Sequence, residues 1–151
     1  MMKFFFTAVF LTTTIAASVS EAACLSSGKT LFTCSAAKSG KIIEVCDHGD
    51  TIRYSFGKAG AEPELLLSVP RGDASTYQWG GIGRNMTYSV NIPNGETEYR
   101  VFSGTDKDPA EPKSAGVNVY KGDNLLATVE CVPTTVQDDL IGLNLKRAEE
   151  W

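Results

Sequence analysis

The chain has 151 residues, of which 42% are hydrophobic and 21% are charged, and its formal net charge is −4 at pH 7. A mildly acidic composition argues against nucleic acid or an anionic membrane as the partner, because both recruit clustered lysine and arginine. The length and the apolar content suit one domain with one hydrophobic core.

The first 23 residues have the pattern of a secretory signal peptide. Lys3 gives a positive start, an apolar run follows from 4 to 19, and small residues end at Ala22 and Ala23. The run is shorter than the roughly 20 residues of a membrane span, and no stop-transfer pattern follows it. We therefore expect a periplasmic or secreted protein whose single β-rich domain covers residues 24–151, with no membrane span in the mature chain.

All four cysteines lie in the predicted mature part: Cys24, Cys34, Cys46 and Cys131. An even number of cysteines in a small exported chain predicts two disulfides. Sequence does not choose among the possible pairings, but Cys131 must reach back to the N-terminal region in each of them. The alternatives are a four-thiolate zinc site, for which no C-x-x-C pair is present, and lipidation of Cys24. We expect no metal and no cofactor.

Short β-favouring runs separated by polar turns follow from residue 30 onward. The clearest run is 51–56, where Ile52, Tyr54 and Phe56 alternate with polar residues as in a half-buried strand. Asn94-Gly95 predicts a tight hairpin. The other predicted strands cover 30–35, 41–47, 64–69, 86–92, 96–103, 116–120 and 125–132. About eight strands with frequent turns predict an all-β fold, either an antiparallel β-sandwich or a small β-barrel.

The C-terminal tail, from about residue 135, departs from this pattern. Thr135 is a suitable N-cap and Asp138 follows three residues later, which favours the start of a helix. Gly142 interrupts that helix, and the charged end of the chain is prone to fraying. We therefore expect a short tail that is helical or disordered.

Few residues suit catalysis. The only histidine, His48, lies in a polar turn, so we interpret it as an exposed turn residue and not as a catalytic base. The acids cluster in turns and between Asp106 and Glu111, which is typical of solvated surface. We therefore predict no catalytic residues and no enzyme. The alternatives are a secreted β-sandwich enzyme with two facing carboxylates, a carbohydrate-binding envelope protein, or a structural module of the envelope.

Special residue chemistry concentrates between residues 77 and 88. Three glycines within four residues let the backbone approach a partner closely, and the flanking aromatics and arginine dominate many binding surfaces. A phosphate-binding loop is excluded, because its lysine and following helix are missing. The alternative is a tight turn whose glycines serve geometry and whose tryptophan fills the core. The predicted binding residues are Tyr77, Trp79, Gly81, Gly83, Arg84 and Tyr88.

An export signal, a disulfide-bonded β-domain and this loop together resemble the bacterial periplasmic lysozyme inhibitors. The matching residues are Gly81, Gly83 and Tyr88, with Arg84 as a cationic residue, whereas glycine stands where the family has serine. The resemblance implies a β-domain that inserts the loop from Trp79 to Tyr88 into the cleft of a lysozyme-like enzyme. An acidic inhibitor also gains association rate toward a basic enzyme. The expected partner is therefore a protein, and specifically a basic lysozyme-like enzyme.

Overall fold

The computed structural model describes Cys24 and residues 28–148, so the predicted signal peptide lies outside the described residues. Among these residues, no helix is long and apolar enough to cross a membrane. Eight strands have six to ten residues and three have two. Their bounds are β1 (Lys29–Ser35), β2 (Ile42–Asp47), β3 (Thr51–Gly57), β4 (Leu65–Pro70), β5 (Ser75–Thr76), β6 (Asn85–Asn94), β7 (Thr97–Asp106), β8 (Ser114–Lys121), β9 (Asn124–Glu130), β10 (Gln137–Asp138) and β11 (Lys146–Arg147).

The strands form two sheets. The first has the order β10-β1-β2-β3-β4, and the second has the order β11-β5-β6-β7-β8-β9. Neighbouring strands are antiparallel, except that β11 runs parallel to β5. The prediction of an all-β, antiparallel sandwich is confirmed, and within the described residues the sheets do not close into the small barrel that was its alternative.

A single cluster of buried apolar side chains from both sheets forms the core. β3 contributes Ile52 and Tyr54, and β6 contributes Val90 and Ile92. The ring of Tyr54 packs against Tyr99 of the second sheet with 5.3 Å between centroids. Burial raises the pKa of Tyr54, so this phenol stays neutral. The alternation predicted for residues 51–56 therefore corresponds to a strand that points its apolar residues into the core.

Both predicted disulfides form, and they use all four cysteines. Cys24 bonds Cys46 of β2, and Cys34 of β1 bonds Cys131, which follows β9. The second bond joins residues 97 positions apart and ties the first sheet to the end of the second. Because every cysteine sulfur is in a disulfide, none is available for the two alternatives, a four-thiolate zinc site and lipidation of Cys24.

The tail forms neither of the expected states up to residue 148. Pro133–Thr135 is a single 3-10 turn, and the described residues contain no helix longer than this turn. The hydroxyl of Thr135 accepts from the Ser35 amide (3.0 Å) and donates to Val132 O (2.8 Å), so it caps no helix. β10 then pairs with β1, Leu140 is fully buried, and β11 pairs with β5. The tail is an ordered connection between the two sheets.

The predicted hairpin joins β6 and β7. Asn94 pairs with Thr97, and Gly95 has a φ of +61°, which glycine adopts without strain. Ten residues of β6 pair with ten of β7, and this long ladder forms the middle of the second sheet. The start of β6 and the end of β7 therefore lie side by side, and both border the glycine-rich segment.

Candidate functional site

The segment between β5 and β6, residues 77–84, is called the glycine loop below. Its first residues run beside β6: Gln78 forms a bridge with Tyr88, and Ser89 N donates to Tyr77 O (3.0 Å). Tyr77 N in turn donates to Ser89 Oγ (3.2 Å). The loop therefore leaves the sheet from a paired stretch of backbone.

The base of the glycine loop is fixed by a network around the Gln78 side chain. Its Nε2 donates to Leu140 O and to Thr76 Oγ1, both at 2.8 Å, and its Oε1 accepts from Gly142 N (2.7 Å). Thr76, which is buried, donates to Ser89 O (2.6 Å). These bonds satisfy the polar groups at the base and join it to the tail, so the loop rises from a rigid support.

The tip of the glycine loop consists of residues 80–83. Gly81 and Gly83 have φ values of +90° and +85°, which side chains other than glycine rarely adopt. A Cβ added at either position would meet nothing within 4 Å, so the constraint is backbone conformation and not space. Ile82 lies between them with 90% of its surface exposed. The two glycines thus bend the chain so that an apolar side chain projects into solvent.

Trp79 lies beneath the tip. Its Nε1 donates to Ile82 O (2.8 Å), and the Lys107 ammonium lies 4.9 Å from its ring centroid. The indole is half-buried. Both contacts stabilise the bend, and the cation over the ring adds a favourable electrostatic interaction. Trp79 is therefore neither a core residue nor the projecting residue of the loop.

Arg84 ends the glycine loop with 69% of its side chain exposed. One terminal nitrogen donates to Asp106 Oδ1 at 3.1 Å, and Arg84 O accepts from Lys107 N. The amide of Asp108 and the guanidinium of Arg84 both hold the pKa of Asp106 below its usual range, although burial opposes this. The carboxylate is thus ionised, and it orients an arginine that still faces solvent.

The predicted binding residues fall into two groups. Gly81, Gly83 and Arg84 lie at or beside the exposed tip. The aromatic residues Tyr77, Trp79 and Tyr88 are half-buried, and Tyr88 packs against the core. Sequence reasoning missed Ile82, the most exposed large apolar residue in the described part of the chain. The available signal was an isolated isoleucine between two glycines, outside any strand-like alternation.

A cavity of about 320 Å³ lies beside the start of β6 and the end of β7. It is lined by residues of β6, β7, the segment that follows β7 and the first residue of β8, and it includes the two carboxylates Asp106 and Glu111. Hydrolysis by paired carboxylates requires an acid whose pKa is raised. The pKa of Asp106 is instead lowered, so this residue is suited to ion pairing and not to donating a proton.

Two other clusters carry chemistry-bearing side chains. Glu44 lies close to Cys24 and Cys46, with the potential ligand atoms within 4.8 Å of one another, but both sulfurs are in a disulfide. His48, predicted to be exposed, is half-buried over Gly28, and its Nε2 has no hydrogen-bond partner. Neither arrangement provides a free nucleophile or a set of free metal ligands.

Comparison with known proteins identifies no relative. No protein-family model, curated protein or solved structure matches the chain. The glycine loop combines a hydrogen-bonded base, an indole beneath the bend, and a tip that exposes Ile82 and Arg84.

Proposed function

We propose that the chain is an exported binding protein that presents the tip of the glycine loop to a cleft of a protein partner. A lysozyme-like enzyme is the specific partner that we expect. The observation that carries this proposal is the 90% exposure of Ile82 between two glycines with positive φ. An apolar side chain held in solvent on a bend gains free energy when a cleft buries it.

The support beneath the tip favours binding. Gln78 and Trp79 hold the two sides of the bend through hydrogen bonds of 2.7–2.8 Å. A loop that is already ordered loses little conformational entropy on binding, so more of the contact energy appears as affinity. This is the arrangement expected of an inhibitor that inserts a fixed loop.

Charge complementarity supports a glycoside-cleaving partner. Such enzymes carry a pair of carboxylates in the cleft, and Arg84 beside the tip supplies a permanently charged donor. The net charge of −4 would also attract a basic enzyme over long range. The two disulfides agree with folding in an oxidising compartment, where such enzymes act on cell walls.

Titration of the purified chain into lysozymes of several types tests the proposal. We expect inhibition of at least one type, and a roughly 10- to 100-fold weaker inhibition after Ile82→Ser, because the buried apolar surface is lost. The matched control is Leu66→Ser, which removes a 46% exposed apolar side chain from β4 of the other sheet. Inhibition of no lysozyme, or equal inhibition by both variants, would contradict the proposal.

A further inference from the structure

Glu44 of β2 is the only charged side chain that the fold buries among the described residues, with 1% of its surface exposed. It lies on the outer face of the first sheet, because its neighbours Ile43 and Val45 point into the core and side chains alternate along a strand. Burial of an ionised carboxylate costs free energy unless nearby charges and hydrogen bonds offset it. The groups around Glu44 therefore decide whether its burial is favourable.

A disulfide brings a backbone nitrogen to this carboxylate. Cys46 lies two residues after Glu44, so both side chains are on the same face of β2. Cys46 is bonded to Cys24, and Cys24 N donates to Glu44 Oε1 at 3.3 Å. A covalent bond thus holds the nitrogen of Cys24 beside a buried carboxylate.

The charge of that nitrogen depends on whether the chain is cut before Cys24, which is the first residue after the predicted signal peptide. Hydrolysis of the Ala23–Cys24 peptide bond adds one water, leaves a carboxylate on Ala23 and leaves an α-amine on Cys24. An α-amine has a pKa of roughly 7.7–8.0, so it carries a proton and a positive charge at neutral pH. The same nitrogen then changes from a neutral amide donor into an ammonium, whose hydrogen bond to a carboxylate is stronger.

The strands beside β2 supply little positive charge at this point. Thr33 of β1 and Ser55 of β3 lie opposite Glu44, and both are uncharged. The other charged or titratable groups on this face are Arg53 of β3, which pairs with the next outward residue of β2, and His48, which follows β2. Within the described residues, Arg53 Nε and His48 Nε2 have no hydrogen-bond partner, so neither atom donates to Glu44.

We propose that export processing cuts the bond between Ala23 and Cys24, and that the α-ammonium of Cys24 then forms a buried ion pair with Glu44. The proposal rests on the predicted export signal and does not depend on the partner of the glycine loop. Before the cut, the nitrogen beside Glu44 is a neutral amide; after it, a full positive charge lies there. Removal of the leader therefore stabilises the fold as well as releasing the protein.

The first test is the N-terminus of the exported protein. The full chain is expressed with its own leader in a bacterial host, recovered after export, and measured by mass spectrometry before and after reduction. We expect a chain that begins at Cys24 and contains two disulfides. Any other first residue would overturn the proposal, including Ala23, which a cut after Ala22 would leave.

The second test separates the ammonium from the amide. The exported chain is compared with one that keeps Ala22 and Ala23 ahead of Cys24, which retains the amide donor but moves the ammonium two residues away. We expect the extension to raise the unfolding equilibrium constant at least about tenfold, measured by denaturant unfolding. The matched control is the same pair of chains carrying Glu44→Gln, in which we expect the extension to have no effect.

If Glu44→Gln does not fold, the pKa of the Cys24 α-amine decides the outcome. An NMR titration of the exported chain, labelled at cysteine, should show that pKa raised by at least about one unit, because the carboxylate favours the charged amine. The stability difference between the two chains should then vanish as the pH rises through the raised pKa. A pKa that is unshifted or lowered, or equal stability of the two chains with Glu44 present, would overturn the proposal.

Discussion

The base and the tip of the glycine loop are built in different ways. At the base, Gln78 makes three hydrogen bonds that reach Thr76 and the backbone of the tail. At the tip, Ile82 is almost fully exposed and Arg84 makes one ion pair with an ionised aspartate. The difference separates stability from recognition: changes at the base are expected to alter the free energy of unfolding, and changes at the tip are expected to alter binding.

The largest effect on stability is expected from the disulfide that anchors the start of the tail. Replacing Cys34 and Cys131 by alanine should lower the free energy of unfolding by about 4–5 kcal/mol, because the bond closes a long loop. Replacing Cys24 and Cys46, only 22 positions apart, should cost about 3 kcal/mol in the same model. Denaturant unfolding measures both. A smaller loss for the 97-residue loop than for the 22-residue loop would contradict this ranking.

The next largest effect is expected at the base itself. Gln78→Ala should lower the free energy of unfolding by about 2–3 kcal/mol, since three hydrogen bonds at roughly 1 kcal/mol each are lost. The amide of Gly142 should also exchange faster with solvent. Gln137→Ala is the control, because Gln137 is an exposed glutamine in the same tail. Equal losses in the two variants would remove the claim that the base is rigid.

A second anchor of the tail should make stability depend on pH. Arg71 Nη1 lies 2.6 Å from both carboxylate oxygens of Asp47, and Arg71 Nη2 donates to Asn144 O. Burial raises the pKa of Asp47, but the hydrogen bonds from Arg71 and the Gly49 amide outweigh it, so the pKa is lowered overall.

A lowered pKa means that the carboxylate stabilises the fold above its unfolded-state pKa, and that this contribution is lost as the pH falls through the folded-state pKa. Asp47→Asn should therefore cost about 1–2 kcal/mol at neutral pH and nothing in strong acid. Unfolding curves of both proteins across acidic pH provide the measurement. Parallel curves with a constant separation would contradict the assignment.

The smallest effect on stability is expected at the tip. Ile82→Ser and Arg84→Ala should each change the free energy of unfolding by no more than about 0.5 kcal/mol, because both side chains are exposed and the ion pair is solvated. Thermal and denaturant unfolding would detect a larger change. A loss of about 2 kcal/mol at either position would assign the tip a structural role.

Much of the fold follows from sequence because local patterns agree with the tertiary structure. The alternation over residues 51–56 marks β3, Asn94-Gly95 marks the β6–β7 turn, and an even number of cysteines marks two disulfides. β5, β10 and β11 could not be predicted, because strands of two residues have no periodicity and exist only through partners far away in the chain. The helix predicted at Thr135 is wrong for the same reason: a distant partner, the Ser35 amide of β1, donates to the Thr135 hydroxyl that would have capped it.

The glycine loop was located from sequence, but the roles of its side chains were not. Gly81 and Gly83 predict the positive φ angles of the bend, and Arg84 supplies a predictable positive charge. Trp79 lies under the bend, where it contacts Ile82 O and the ammonium of Lys107, the residue that follows β7. Ile82 is the residue that projects, and no local sequence pattern shows which of these two side chains does so.

The decisive measurement is amide hydrogen exchange of the chain, alone and in the proposed complex with a lysozyme-like enzyme. We expect residues 80–84 to exchange rapidly in the free chain and to become protected in the complex, while the Ser89 and Gly142 amides, which donate to Tyr77 O and Gln78 Oε1, exchange slowly in both. Protection that appears elsewhere on the surface, with residues 80–84 still exchanging rapidly in the complex, would contradict the account.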